Sequence, residues 1–145
     1  MHSSPIAAII VLCIFGVGVA LAFSIAAIVI GSQYMNVLCD LNSFIRLSTW
    51  LIVYGSLNLF GALCALGVVL ALVAEHDYAM VGNIVYLIVL GLFNLAWNIV
   101  GAVALFRDSM SCQTYSYSLW AMTLAILIVQ WIGMLASCCS SSRSS

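Results

Sequence analysis

Residues 47–73 read LSTWLIVYGSLNLFGALCALGVVLALV, a run without one charged side chain, broken only by small hydroxyls, one amide and glycines. A helix that crosses a hydrocarbon core of about 30 Å needs roughly 20 such residues. Three further stretches match it, at 5–30, 81–106 and 119–139. Membrane β-strands would come as segments of about ten residues with alternating polarity. These runs are twice that length and apolar on every side, so the expected fold is an all-α membrane protein. It forms one domain over 1–145, a four-transmembrane-helix bundle. The rest of the chain agrees. Of 145 residues 66% are apolar and 5% charged, with four acids, three arginines and no lysine. A soluble domain carries about a quarter charged residues, and a disordered chain has the opposite bias. Three scattered arginines make no basic footprint for nucleic acid. The first run is too long for a signal peptide and lacks a basic start. It reads as a retained helix, with Pro5 at a first-turn position where its missing N–H costs nothing.

Four spans put both termini on one side and the connections 31–46 and 107–118 on the other. Arg46 and Arg107 flank those connections and Arg143 lies in the tail, a count that by the positive-inside tendency favours the loops inside. The cysteines point the other way. Cys39 and Cys112 are the only cysteines in connections, one in each same-side loop. A disulfide between them would tie the two helical hairpins together, and it persists only in an oxidising space. In the chain-entropy model, closing so long a loop contributes about 4 kcal/mol. The alternative is two unpaired loop thiols. Cys138 and Cys139 end the fourth span, where S-palmitoylation would occur on the cytoplasmic face; the other reading is two apolar helix-end residues. Cys13 and Cys64 lie inside spans and read as small packing residues. Together the cysteines place both termini in the cytoplasm, with the plasma membrane as the expected location. Trp50, Tyr54, Tyr115, Tyr117 and Trp120 cluster near the span ends that meet the long loops, as an aromatic belt does.

Helices associate in lipid through small residues and polar contacts. Each span shows such a stripe at steps of three and four. They are Cys13, Gly16, Ala20, Ser24, Ala27 and Gly31; Tyr54, Asn58, Gly61 and Ala65; Gly91, Asn94, Asn98 and Gly101; and Thr123, Gln130, Gly133 and Ser137. Asn58, Asn94, Asn98 and Gln130 are amides at membrane depth, where an unpartnered amide is costly. Two roles stay open for them: an interhelical hydrogen-bond network, or the lining of a water-filled path. Gly55, Gly61 and Gly67 recur every six residues and so rotate around the helix. With Gly61 assigned to the Asn58 stripe, Gly55 and Gly67 become the candidate contacts to another subunit.

Chemistry is sparse. No span holds an ionisable residue of the kind proton relays, voltage sensors and ion-coupled transporters use. Glu75-His76-Asp77 reads as a solvated turn, and neither a nucleophile elbow nor a metalloprotease motif nor a phosphate loop occurs. No enzyme, metal or other cofactor is expected. The chain resembles the transmembrane protein 272-like family of small four-span proteins, from about Ile28 to Cys139. The resemblance is carried by a loop cysteine followed by Ile45-Arg46-Leu47-Ser48-Thr49-Trp50-Leu51-Ile52-Val53-Tyr54-Gly55. It continues with Phe93-Asn94-Leu95-Ala96-Trp97-Asn98-Ile99-Val100-Gly101 running into Phe106, then Cys112, Leu119-Trp120 and Cys138-Cys139. Where that group tends to have a further aromatic, this chain has Ala102-Val103-Ala104-Leu105. The resemblance implies a four-helix membrane fold with loop cysteines able to pair, and no reaction. The first loop is too short for a claudin-type sheet and lacks its Trp-Cys-Cys arrangement. The expected function is that of a non-enzymatic tetraspan that self-associates or serves as a scaffold subunit of a membrane complex. The alternative is a channel or large-pore oligomer lined by Asn94, Asn98 or Gln130. Membrane lipid and a second copy or another membrane protein are the expected partners.

One expectation is directly measurable. Mass spectrometry of non-reduced peptides is expected to find Cys39 linked to Cys112, and alkylation of both in the untreated native protein would remove the pairing.

Overall fold

Backbone N–H and C=O groups find no water in hydrocarbon, so each apolar run must satisfy its own by forming helix. The computed structural model describes residues 5–37, 44–74 and 77–142, and no strand occurs among them. Helix α1 spans Pro5–Gln33, α2 Leu47–Val73 and α3 Asp77–Val103. A π-helical turn, Ala104–Asp108, continues α3, the short α4 covers Cys112–Tyr115, and α5 spans Tyr117–Ser142. Among the described residues four helices are long and apolar enough to cross a membrane: α1, α2, α3 with its π-helical extension, and α5. The molecule is an all-α, multi-pass four-helix bundle. The helices overrun the apolar stretches by a few residues, to Gln33 on α1, back to Asp77 on α3 and out to Ser142 on α5.

Helices α1 and α2 pack closest, and the cause is two missing side chains. A Cβ at Gly31 would lie 2.8 Å from the Ser48 carbonyl oxygen. A Cβ at Gly55 would lie 2.6 Å from the Ser24 carbonyl oxygen and as close to Ile28. The contact is therefore reciprocal: a glycine of each antiparallel helix receives a backbone carbonyl of the other. Between them Ser24, Ala27, Ser48 and Leu51 are buried. The spacing of three and four along both helices is that of left-handed packing. The Ser24 hydroxyl donates to the Ala20 carbonyl at 2.7 Å, so its polar atom enters the seam already bonded. On the other side of α2, Gly61 takes the Leu90 side chain of α3, and a Cβ at Gly67 would lie 3.6 Å from the Asn83 amide nitrogen. Gly55, expected to face another subunit, thus faces α1 within the chain, whereas Gly67 is half-buried. Rotation about α2 turns these glycines away from one another: α1 occupies the Gly55 face, and α3 the Gly61 face.

The buried residues gather at one end of the bundle. Ala27, Leu47, Trp50, Leu51, Tyr54, Leu105, Cys112, Leu119, Ile126 and Leu127 form one cluster. It is roofed by the π-helical turn and by α4, where the Cys112 N–H donates to Ser109 and its carbonyl accepts from Ser116. In the turn the adjacent Ala104 and Leu105 are both buried, as the wider helix allows. The opposite half, which carries both termini, is loosely joined. Phe15 is 71% exposed and Val73 72%, while no atom beyond the local helix comes within 4 Å of a Cβ placed at Gly16 or Gly18.

Gly55→Leu is expected to push α1 off α2 and to lower stability by about 1–3 kcal/mol, the usual cost of overpacking. Unfolding of the detergent-solubilised chain, read by tryptophan fluorescence, measures this; Gly18→Leu, which enters open space, is the matched control.

Candidate functional site

The four intramembrane amides and the Tyr54 hydroxyl form one connected set across α2, α3 and α5. Asn58 and Asn94 exchange amide hydrogen bonds, Nδ2 of each donating to Oδ1 of the other at 3.2 and 3.3 Å. Asn58 Nδ2 also donates to the Tyr54 carbonyl at 2.8 Å. One turn along α3, Asn98 Nδ2 donates to the Asn94 carbonyl at 2.8 Å and to Gln130 Oε1 of α5 at 3.4 Å. Gln130 Nε2 in turn donates to the Tyr54 hydroxyl at 2.8 Å, returning the chain of bonds to α2. The spacing explains the grouping: Tyr54 and Asn58, and Asn94 and Asn98, are pairs at i and i+4 and share a helix face. Within this set Asn98 Oδ1 is buried without a partner.

A second link joins α2 to α3 nearer the loop end. The Trp50 indole N–H donates to the Trp97 carbonyl at 2.9 Å, and the Trp97 indole N–H donates to the Trp50 carbonyl at 3.3 Å. A carbonyl inside a helix points along the axis toward residue i+4. For Trp97 that residue is Gly101, and any side chain there would collide with the Trp50 ring. Glycine leaves the carbonyl open to an indole from the neighbouring helix. The Trp50 ring also stacks on Tyr54, with centroids 5.5 Å apart and planes at 11°. Placing Trp50 and Tyr54 in an aromatic belt is therefore corrected: both are buried, because each polar atom finds a partner inside the bundle and the rings then serve as core. Tyr115 and Tyr117, 81% and 67% exposed, keep an outward position.

The network joins four amides to one phenol and links three helices in register. Among the described residues no group of three His, Cys, Asp or Glu side chains could hold a metal ion. Cys112 is buried in the core cluster. Its expected partner Cys39 lies outside the described residues, as do Glu75 and His76. Cys13, Cys64, Cys138 and Cys139 are in no disulfide. Cys138 lines an open groove of about 680 Å³ between α3 and α5, together with Leu95, Val129, Gln130, Gly133 and Met134. A smaller recess of about 150 Å³ at the loop end is lined by Phe44, Ile45, Ile99, Val100, Val103, Ala104 and Asp108. The Asp108 carboxylate lies 3.8 Å from the Arg107 guanidinium. Sequence reasoning missed the tryptophan exchange and the Tyr54 hydroxyl. The available signal was Trp97 set four residues before Gly101, beside a second tryptophan whose N–H needed an acceptor. Comparison with protein-family models, with curated proteins and with solved structures gave no match.

A double-mutant cycle tests the amide exchange. Asn58→Leu and Asn94→Leu are each expected to destabilise the chain, with a coupling of about 0.6 kcal/mol and at most ~1.7 kcal/mol, the range for hydrogen bonds between membrane helices. Additive losses, measured by reversible unfolding in mixed micelles, would mean that the two amides do not act as a pair.

Proposed function

We propose that this protein is a non-enzymatic tetraspan whose role is assembly: it self-associates or supplies a scaffold subunit to a membrane complex. The observation that supports this reading best is how the intramembrane amides are used. Asn58, Asn94, Asn98 and Gln130 bond to one another and to Tyr54 rather than standing in a row along an open path. What remains toward the membrane is apolar and, on α1, rich in small residues. Cys13, Gly16 and Ala20 continue the stripe that meets α2 at Ser24, Ala27 and Gly31, yet they are exposed. A neighbouring helix could approach there as closely as α2 does lower down. Membrane lipid and a second copy are the partners in this reading, with both termini cytoplasmic and the plasma membrane as the site of residence. The Cys39–Cys112 disulfide belongs to the same proposal: it would close the roof over the core from the oxidising side, and buried Cys112 stands apart from the cysteines that form no disulfide. Kinship with the transmembrane protein 272-like group is part of it too.

A second reading, a pore formed between copies, draws on one observation: Gln130 borders the open groove between α3 and α5. Mass and conductance separate the two. In nanodiscs the wild-type chain is expected to run as more than one copy per particle. Gly16→Ile is expected to lower that mass while leaving the monomer folded, because the substitution enters space that no other part of the chain occupies. A single copy at every concentration defeats the assembly reading. Solute flux through reconstituted vesicles that vanishes in Gln130→Leu, with particle mass unchanged, would favour the pore.

A further inference from the structure

The orientation of each amide in the interior network is fixed by its partners, and this exposes a mismatch around Gln130. Asn98 cannot be turned round. Its Nδ2 donates to the Asn94 carbonyl at 2.8 Å, and exchanging the ends of the amide would set oxygen against oxygen there. Its Oδ1 is therefore held where it has no partner, on a side chain that is fully buried. Because Asn98 Nδ2 also faces Gln130, the end of Gln130 toward it is Oε1, and the end toward Tyr54 is Nε2. An amide nitrogen only donates. The Tyr54 hydroxyl accepts from Gln130, so its own proton points elsewhere and finds no acceptor among the described residues. One buried acceptor without a donor and one buried donor without an acceptor thus belong to the two partners of a single amide. The Asn98–Gln130 contact, at 3.4 Å, is also long for an N–H···O bond.

We propose that one water molecule is bound between the Tyr54 hydroxyl and Asn98 Oδ1, closing a ring of Tyr54, Gln130 and Asn98 across α2, α5 and α3. The water accepts from the Tyr54 O–H and donates to Asn98 Oδ1. Its second proton has the spare lone pair of Gln130 Oε1, which takes only the long bond from Asn98. That makes three hydrogen bonds, the usual number for a buried water that satisfies otherwise unpaired groups. Water is the occupant that the chemistry selects. The ring asks for an acceptor and a donor at one point and carries no charge to hold an ion, and the closed surface over Asn98 Oδ1 leaves no opening for a larger polar molecule. The bound water ties three helices at one point and reinforces the weakest bond in the set. It is a single site and not part of a hydrated path, because Asn58 and Asn94 beside it bond to each other. It belongs to each copy of the chain, whether or not copies assemble.

The test uses the full chain, isotope-labelled and reconstituted in lipid bilayers. Water-edited solid-state NMR is expected to show early magnetisation transfer from water to the Asn98 side-chain amide, and not to those of Asn58 and Asn94. Tyr54→Phe removes only the hydroxyl. It is expected to abolish the early transfer while the Asn58 and Asn94 signals keep their positions. No transfer to Asn98 in wild type overturns the site, whatever the variant does. Transfer that persists undiminished in Tyr54→Phe overturns the bridge to Tyr54. Equal transfer to Asn58, Asn94 and Asn98 overturns a single bound water in favour of a continuous hydrated path. A density map of the wild-type chain in nanodiscs, at a resolution that shows ordered water, decides the same point without a variant. A peak within about 3.2 Å of both Tyr54 Oη and Asn98 Oδ1 is expected, and a map without it overturns the proposal.

Discussion

Helix α2 is held by side chains that it and its neighbours lack. Gly31 and Gly55 let α1 and α2 exchange backbone contacts at Ser48 and Ser24, and Gly101 lets Trp50 reach a carbonyl on α3. In lipid an apolar side chain gains nothing by leaving one apolar surroundings for another, so the driving force is close packing and hydrogen bonding. Close packing requires that something be absent at the crossing point. Each of these glycines marks a place where a backbone or a ring occupies the position of a Cβ. The remainder of the bundle is arranged around an α2 fixed on both sides.

The polar atoms then follow from the geometry. Once α2 and α3 are within reach, Asn58 and Asn94 can pair, and so can the two tryptophans through their carbonyls. Helix α5 joins the set through one residue, Gln130, which contacts both other helices at once. Such a design concentrates specificity in a few directional bonds, since apolar contacts between lipid-facing helices can slide. The unpartnered Oδ1 of Asn98 shows the limit of the arrangement: its Nδ2 serves two acceptors while its oxygen serves none.

The two ends of the bundle differ for the same reason. At the loop end the π-helical turn and α4 bring Leu105, Cys112 and Leu119 over Trp50 and Leu51, and a core forms. At the terminal end many Ile, Val and Leu side chains are exposed, such as Val11, Leu12, Ile14, Leu70 and Val73. The groove beside Gln130 and the exposed stripe at Cys13, Gly16 and Ala20 are both products of that divergence. Both lie on surface that the described helices leave open.

Length and composition alone determined four helices long and apolar enough to cross a membrane, because the polar backbone of so long an apolar run satisfies its own N–H and C=O groups by forming helix. The stripes of small residues and the four amides were legible from spacing, since helical periodicity places i, i+3 and i+4 on one side. Which stripe meets which was not legible. Gly55 read as outward-facing, and only the position of α1 against α2 turned it inward. Trp50 and Tyr54 sit near a span end, where aromatics usually face the headgroups. Their burial depended on partners 40 to 80 residues away, the Trp97 carbonyl and the Gln130 amide. Local sequence sets the period of a helix and the chemistry on each face. The rotation of one helix against another is decided by all their contacts together, and that information exists only in the folded bundle.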